Sequence, residues 1–120
     1  MPDRFAFTLA PNETAKLSFG FSAAWENKLD IVNSIDNTTT EKGNTHGRNQ
    51  TSMIILNDEP QDQDITIIAS YKSSDNDHFR PSSGICHKDK TEGGTRHIVY
   101  GFEDQNHGVF KNALIYIKVF

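Results

Sequence analysis

From Ala15 to Ser22 the chain alternates at every step, with Ala15, Leu17, Phe19 and Phe21 separated by Lys16, Ser18, Gly20 and Ser22. A strand sends successive side chains to opposite faces, so a period of two describes a strand buried on one side only. Phe5, Phe7 and Leu9 alternate in the same way with Ala6, Thr8 and Ala10, and Pro11-Asn12-Glu13 supplies turn residues between the runs. The two runs are therefore expected as neighbouring strands. Ile65, Ile67, Ala69 and Tyr71 repeat the pattern, with Thr66, Ile68 and Ser70 on the opposite face.

Shorter apolar runs at Leu29–Val32, Met53–Leu56, His97–Phe102 and Ala113–Phe120 have the β-branched and aromatic content of strands. The tract from Asn33 to Gln50 is rich in Asn, Thr, Gly and charge and reads as a loop or a frayed hairpin. Lys72 to Thr95 is a polar span broken by Gly and Pro, with room for one short strand near Ile85. Ala23 to Lys28 could make one helical turn, but no window keeps apolar spacing of three and four over helical length. The pattern predicts an all-β chain, an antiparallel β-sandwich of about seven to nine strands in a single domain spanning residues 1–120.

Composition narrows the function classes. The 120 residues carry a net charge of −4, and no basic cluster in the sequence is denser than Lys88 and Lys90. The sequence thus gives no electrostatic reason to expect nucleic acid as a partner. No apolar stretch approaches the length of a membrane helix, so no membrane insertion is expected. The N-terminus lacks a basic-then-apolar leader, giving the expectation of a cytoplasmic protein or one exported without a classical signal peptide. A single cysteine, Cys86, excludes an intramolecular disulfide and any zinc site built from several cysteines.

Chemical motifs are sparse. The five histidines, His46, His78, His87, His97 and His107, form no pair at ligand spacing and read as solvated loop residues. Cys86 reads as a small, at least partly buried thiol, since nothing near it resembles a nucleophile signature. Asp75-Asn76-Asp77 clusters oxygen ligands, but without the glycine and distal glutamate of a calcium loop it reads as an Asx-rich turn. The N-x-T triplets at Asn12, Asn37 and Asn49 are local accidents of an Asn- and Thr-rich chain. No nucleophile elbow, phosphate-binding glycine loop or paired-acid motif occurs, so no enzyme is expected.

The most specific stretch runs from Tyr100 to Val119: a strand, then Glu103-Asp104-Gln105-Asn106-His107-Gly108-Val109-Phe110-Lys111-Asn112, then Ala113 and a strand of alternating Ile and Val. It resembles the terminal hairpin of the calcium-mediated bacterial lectins that bind fucose and mannose, whose loop reads EDGxDxDxND. Phe7-Thr8-Leu9-Ala10-Pro11-Asn12-Glu13-Thr14 is similar to the FTLPxNT opening of the same family. The resemblance covers about the first thirty and last twenty residues, and implies a lectin-like sandwich and a glycan or glycoconjugate partner.

The family's ligand set is only partly kept. Glu103 and Asp104 match its acids, whereas His107, Val109 and Lys111 replace three ligand positions and Asn112 replaces a carboxylate by an amide. Two divalent ions side by side need more anionic oxygen than that, and Lys111 adds a positive charge. The expectation is a carbohydrate-binding module without cofactor, calcium being disfavoured. Sugar would be held by Trp25, Glu26 and Asn27 in the first turn and by Glu103, Asp104, Asn106, His107 and Asn112 in the last, with Asp75 to Phe79 contributing from the middle of the chain. Planar polar groups fork onto adjacent hydroxyls, and an aromatic face covers the sugar's C–H patch.

The alternative is a non-catalytic protein-interaction or structural sandwich that has lost sugar binding. If Ala113, Ile115, Ile117 and Val119 face the core, then Leu114, Tyr116 and Phe120 face outward beside Lys118, and such a stripe suits a homodimer seam at the C-terminal strand.

Overall fold

The computed structural model describes residues 3–23, 26–44, 47–72, 78–103 and 113–120. Ten strands occur among them and no helix: β1 (Arg4–Leu9), β2 (Thr14–Ala23), β3 (Asn27–Asn33), β4 (Thr39–Asn44), β5 (Gly47–Leu56), β6 (Gln63–Tyr71), β7 (Arg80–Pro81), β8 (Ser83–Glu92), β9 (Thr95–Glu103) and β10 (Ala113–Val119). They form two antiparallel five-stranded sheets. One has the order β1-β6-β3-β4 with β7 paired to β6; the other has the order β5-β2-β10-β9-β8.

The alternating runs become the inner faces. Phe7, Leu9, Leu29, Ile31, Ile65, Ile67 and Ala69 from the first sheet meet Ala15, Leu17, Phe19, Phe21, Ile98, Tyr100, Phe102, Ala113, Ile115, Ile117 and Val119 from the second in one buried cluster. Each large aliphatic or aromatic side chain fully withdrawn from water contributes about 1.5–3 kcal/mol, so register is strongly specified on these strands. A slip of one residue would turn every one of them to solvent.

Four sequence expectations are corrected. The runs at Phe5 and Ala15 are not hydrogen-bonded neighbours: β1 pairs with β6, whereas β2 lies in the other sheet between β5 and β10. Alternation reports which face is buried, not which sheet a strand joins, and the turn at residues 10–13 is a corner between sheets. Of the loop or frayed hairpin expected over Asn33–Gln50, the loop is corrected: residues 34–38 turn a β3–β4 hairpin, and the rest forms β4 and the start of β5. The polar span after Lys72 contains the ten-residue β8. Both β4 and β8 are edge strands. Backbone pairing to a single neighbour holds such a strand, and polar outward side chains are what a sheet edge favours. Finally, Asn27 and Lys28 begin β3 and Ala23 ends β2, so these residues make no helical turn.

Cys86 also differs from expectation. It is exposed on β8, where the register shifts between Cys86 and Lys88, and its Sγ lies 3.4 Å from the Lys88 carbonyl oxygen.

Candidate functional site

Strand directions bring the described sequence-predicted groups Glu26, Asn27 and Glu103 to one end of the sandwich. Asn27, opening β3, is opposite both Asn44 at the end of β4 and Tyr71 at the end of β6. Ala23, ending β2, is opposite Gly47 at the start of β5, and Glu103, ending β9, is opposite Ser83 at the start of β8. Phe102 pairs with Ala113, so β9 and β10 form the adjacent antiparallel hairpin that the sequence suggested. The chain leaves and rejoins the sheets at this end between β2 and β3, β4 and β5, β6 and β7, and β9 and β10.

Trp25, Asp104, Asn106, His107 and Asn112 lie outside the described residues, as do Asp75, Asn76 and Asp77. The remaining candidates are fixed in the scaffold. Asn27 is 1% exposed and Glu103 is 2% exposed, so both are buried strand ends rather than groups presented to solvent. Glu26 is half-buried; its carboxylate lies 3.4 Å from the Lys72 ammonium, and its carbonyl oxygen accepts a 2.9 Å hydrogen bond from the Lys72 N–H. Gly43 sits so close to the Asn27 carbonyl oxygen that a Cβ there would overlap it, which makes glycine a packing requirement at that point of the β3–β4 pair.

Phe79 is the aromatic group that the structure places here. The Lys28 Nζ lies 4.2 Å and the Lys72 Nζ 4.7 Å from its ring centroid. Lys28 is directly opposite Ser70, so Lys72, two residues further along the chain, is its diagonal neighbour. Diagonal neighbours on a sheet share a face within reach of long side chains. Lys28 is also 3.8 Å from the Asp30 carboxylate. The two lysines were not singled out in the sequence, because their meeting depends on the β3–β6 register and no local pattern encodes it. With ammonium groups on its π system, Phe79 is engaged in cation–π contact rather than being a bare stacking platform.

Among the described residues no group of three His, Cys, Asp or Glu side chains is arranged to hold a metal ion. Among the described residues no helix is long and apolar enough to cross a membrane.

No protein-family model matches the chain, and neither does any curated protein. Solved structures do. The high-affinity mannose-binding lectin of Ralstonia solanacearum superposes with a TM-score of 0.65 at 15% identity, over 94% of this chain and 93% of that one. The C-terminal domain of the BC2L-C lectin from Burkholderia cenocepacia gives a TM-score of 0.68 at 11% identity, over 94% and 92%. The Chromobacterium violaceum lectin CV2L, solved with α-methyl-fucoside, gives 0.63 at 12% identity, over 98% and 96%. The chain thus shares the β-sandwich fold of bacterial lectins along almost its whole length.

Proposed function

We propose that this protein is a non-catalytic carbohydrate-binding module that recognises its sugar at the loop-bearing end of the sandwich without a paired-calcium site. The carrying observation is the full-length superposition on lectins described as mannose-binding or solved with a fucoside, together with strand ends that bring Glu26 and Asn27 to the same end as Glu103. Trp25 supplies the aromatic face for the sugar's C–H patch, and Glu26, Asp104, Asn106, His107 and Asn112 supply the hydroxyl partners. Asn27 and Glu103, both buried, anchor the strand ends that adjoin Glu26 and Asp104 in the chain. The donor set does not fit a calcium pair: beside Glu103 and Asp104 it offers His107, Val109, Lys111 and a neutral Asn112.

The test is binding to a glycan array, repeated with a chelator. Unchanged binding of fucosides or mannosides with chelator supports the reading, and its loss restores calcium. Trp25→Ala should weaken sugar binding by about 1–3 kcal/mol if the ring stacks on sugar. A loss of about 3–5 kcal/mol of fold stability instead would place the ring in the core.

A second reading is favoured by a separate observation. Ile54, Leu56, Tyr116 and Phe120 are the large apolar side chains most exposed among the described residues; of the expected outward stripe, Tyr116 on β10 and Phe120 just after it are exposed, while Leu114 is half-buried. A protein-interaction surface there, including a homodimer seam, predicts self-association measurable by sedimentation while no glycan binds.

A further inference from the structure

The outer face of the second sheet carries chemistry that the strand-by-strand sequence does not display. Lys16 is directly opposite Lys118, Lys118 is opposite His97, and His97 is opposite Lys90. Residues directly opposite one another share a face, so β2, β10, β9 and β8 present four basic side chains in one transverse row. At about 4.8 Å per strand the row extends about 14 Å. The adjoining row reads Ser52, Ser18, Tyr116, Val99 and Lys88. Neither row contains an acid. Glu92, further along β8, holds Lys90 at 2.6 Å, and Arg96 is turned to Asp89 at 2.7 Å.

Two shallow grooves of about 430 Å³ each flank Tyr116. One is lined by Lys16, Lys88, His97 and Lys118, the other by Ser18, Gln50, Thr51 and Ser52. Cations, one half-exposed aromatic ring and a strip of hydroxyl and amide groups thus share a single surface on a chain whose net charge is −4.

We propose that this face binds a linear acidic polysaccharide, one bearing carboxylate or sulfate on successive sugar units, with its axis along the row from Lys16 to Lys90. The charge complementarity is direct, and the advance of one pyranose unit is close to one inter-strand spacing, so successive anions meet successive strands. Tyr116 covers the apolar side of a ring, and Ser18, Ser52 and Gln50 take its hydroxyls. The first row continues on β5 with the exposed Ile54 opposite Lys16, which belongs to the self-association reading above, but for the basic rows themselves a second copy of this chain is the poorer occupant. An isologous contact places the same two rows on both sides, and lysines leaving water would find no carboxylate opposite them in either row. Nucleic acid is also poorer, because the rows hold no arginine for bidentate phosphate contact and a single aromatic ring for stacking.

This inference concerns a surface away from the loop-bearing end, and the experiment keeps the two apart. Binding of a defined heparin oligosaccharide is measured by calorimetry at low salt and at physiological salt. Expected are binding at low salt, at least a tenfold weakening at physiological salt as exposed charges are screened, and no competition by free fucose or mannose. The double variant K16Q/K118Q, exposed on both strands, should lose at least tenfold in affinity, while Lys42→Gln on β4 should leave it unchanged. Absence of binding at low salt, equal loss in both variants, or tighter binding of single-stranded DNA or polyglutamate than of the oligosaccharide would overturn the proposal. So would a wild-type dimer in sedimentation that K16Q/K118Q converts to monomer without changing heparin affinity.

Discussion

Asn57 is 0% exposed and ties together four segments at the end of the sandwich opposite the loops. Its Nδ2 donates to the carbonyl oxygens of Leu9 at 2.9 Å and Gln61 at 2.8 Å, and its Oδ1 accepts from the Glu59 N–H at 3.1 Å. Its backbone N–H donates to Glu13 O at 3.0 Å and its carbonyl accepts from Asn12 N–H at 2.8 Å. Asn57→Ala removes the three side-chain bonds. The Leu9 carbonyl keeps its place opposite Gln63 in the β1–β6 ladder, so each of the three lost bonds counts at about 0.5–1.5 kcal/mol. The expected loss is about 3 kcal/mol, a large share of the roughly 5–15 kcal/mol that holds a domain of this size.

Asn57→Asp preserves the shape but turns an oxygen toward two carbonyl oxygens. Burial and those oxygens favour the protonated acid in the folded state, so its folded pKa lies above the unfolded value near 4. The folded state then binds more protons. Stability relative to wild type should therefore be closest at acid pH and fall as pH rises through the folded pKa. Urea unfolding followed by circular dichroism at pH 4 and pH 7 measures both effects. An Asn57→Ala protein within about 0.5 kcal/mol of wild type would refute the bonding argument, and an Asn57→Asp difference that does not change with pH would refute the charge argument.

Two further outcomes follow from the region where β1 meets β8 and β9. Burial pushes the pKa of Tyr100 up to about 12, so the folded state keeps its proton longer than the unfolded chain. Stability should fall by about 1.4 kcal/mol per pH unit between the ordinary value near 10 and the folded one, on this account alone. Tyr100→Phe, whose lost contact to the Ala6 carbonyl is a long 3.4 Å, should remove that slope in alkaline denaturant titrations at little cost near pH 7. Gly84→Ala should destabilise by about 1–3 kcal/mol through overpacking. Its Cβ would lie 2.6 Å from the Phe102 ring and 2.8 Å from Phe5, which itself stacks on Tyr100 at 4.3 Å. A thermal midpoint equal to wild type would show that these rings can move aside.

What the sequence disclosed follows from what alternation measures. β2, β6 and β10 have neighbours on both sides within their sheets and one face on the core, so their period of two is plain in the residues, whereas β9 is legible only as an apolar, β-branched run. β4 and β8 are sheet edges made of residues such as Thr39-Thr40-Glu41 and Lys88-Asp89-Lys90, and nothing local separates such a strand from a loop. At the candidate site, the hairpin flanking Glu103 to Asn112 was legible because both its strands are buried. The burial of Asn27 and Glu103 was not, since polar residues at a strand end read locally as turn. The meeting of Lys28, Lys72 and Phe79, like the basic row on the second sheet, exists only once strand register is known.

The same alternation explains how one small sandwich can carry separate surfaces. On β2, β9 and β10 the inward positions are held by packing, and the outward positions make no core contact, so their chemistry can change without disturbing register. Lys16 directly opposite Lys118 is then informative, because like charges in that relation oppose pairing on the scale of about 0.2–1 kcal/mol. Lys118 gains part of this back over the Phe120 ring, 5.6 Å away. A folding requirement alone would favour a neutral or acidic residue at either position. An arrangement held against its own repulsion on a net negative chain is accounted for if a polyanion crosses it as proposed, and that proposal is independent of the one made for the loop-bearing end.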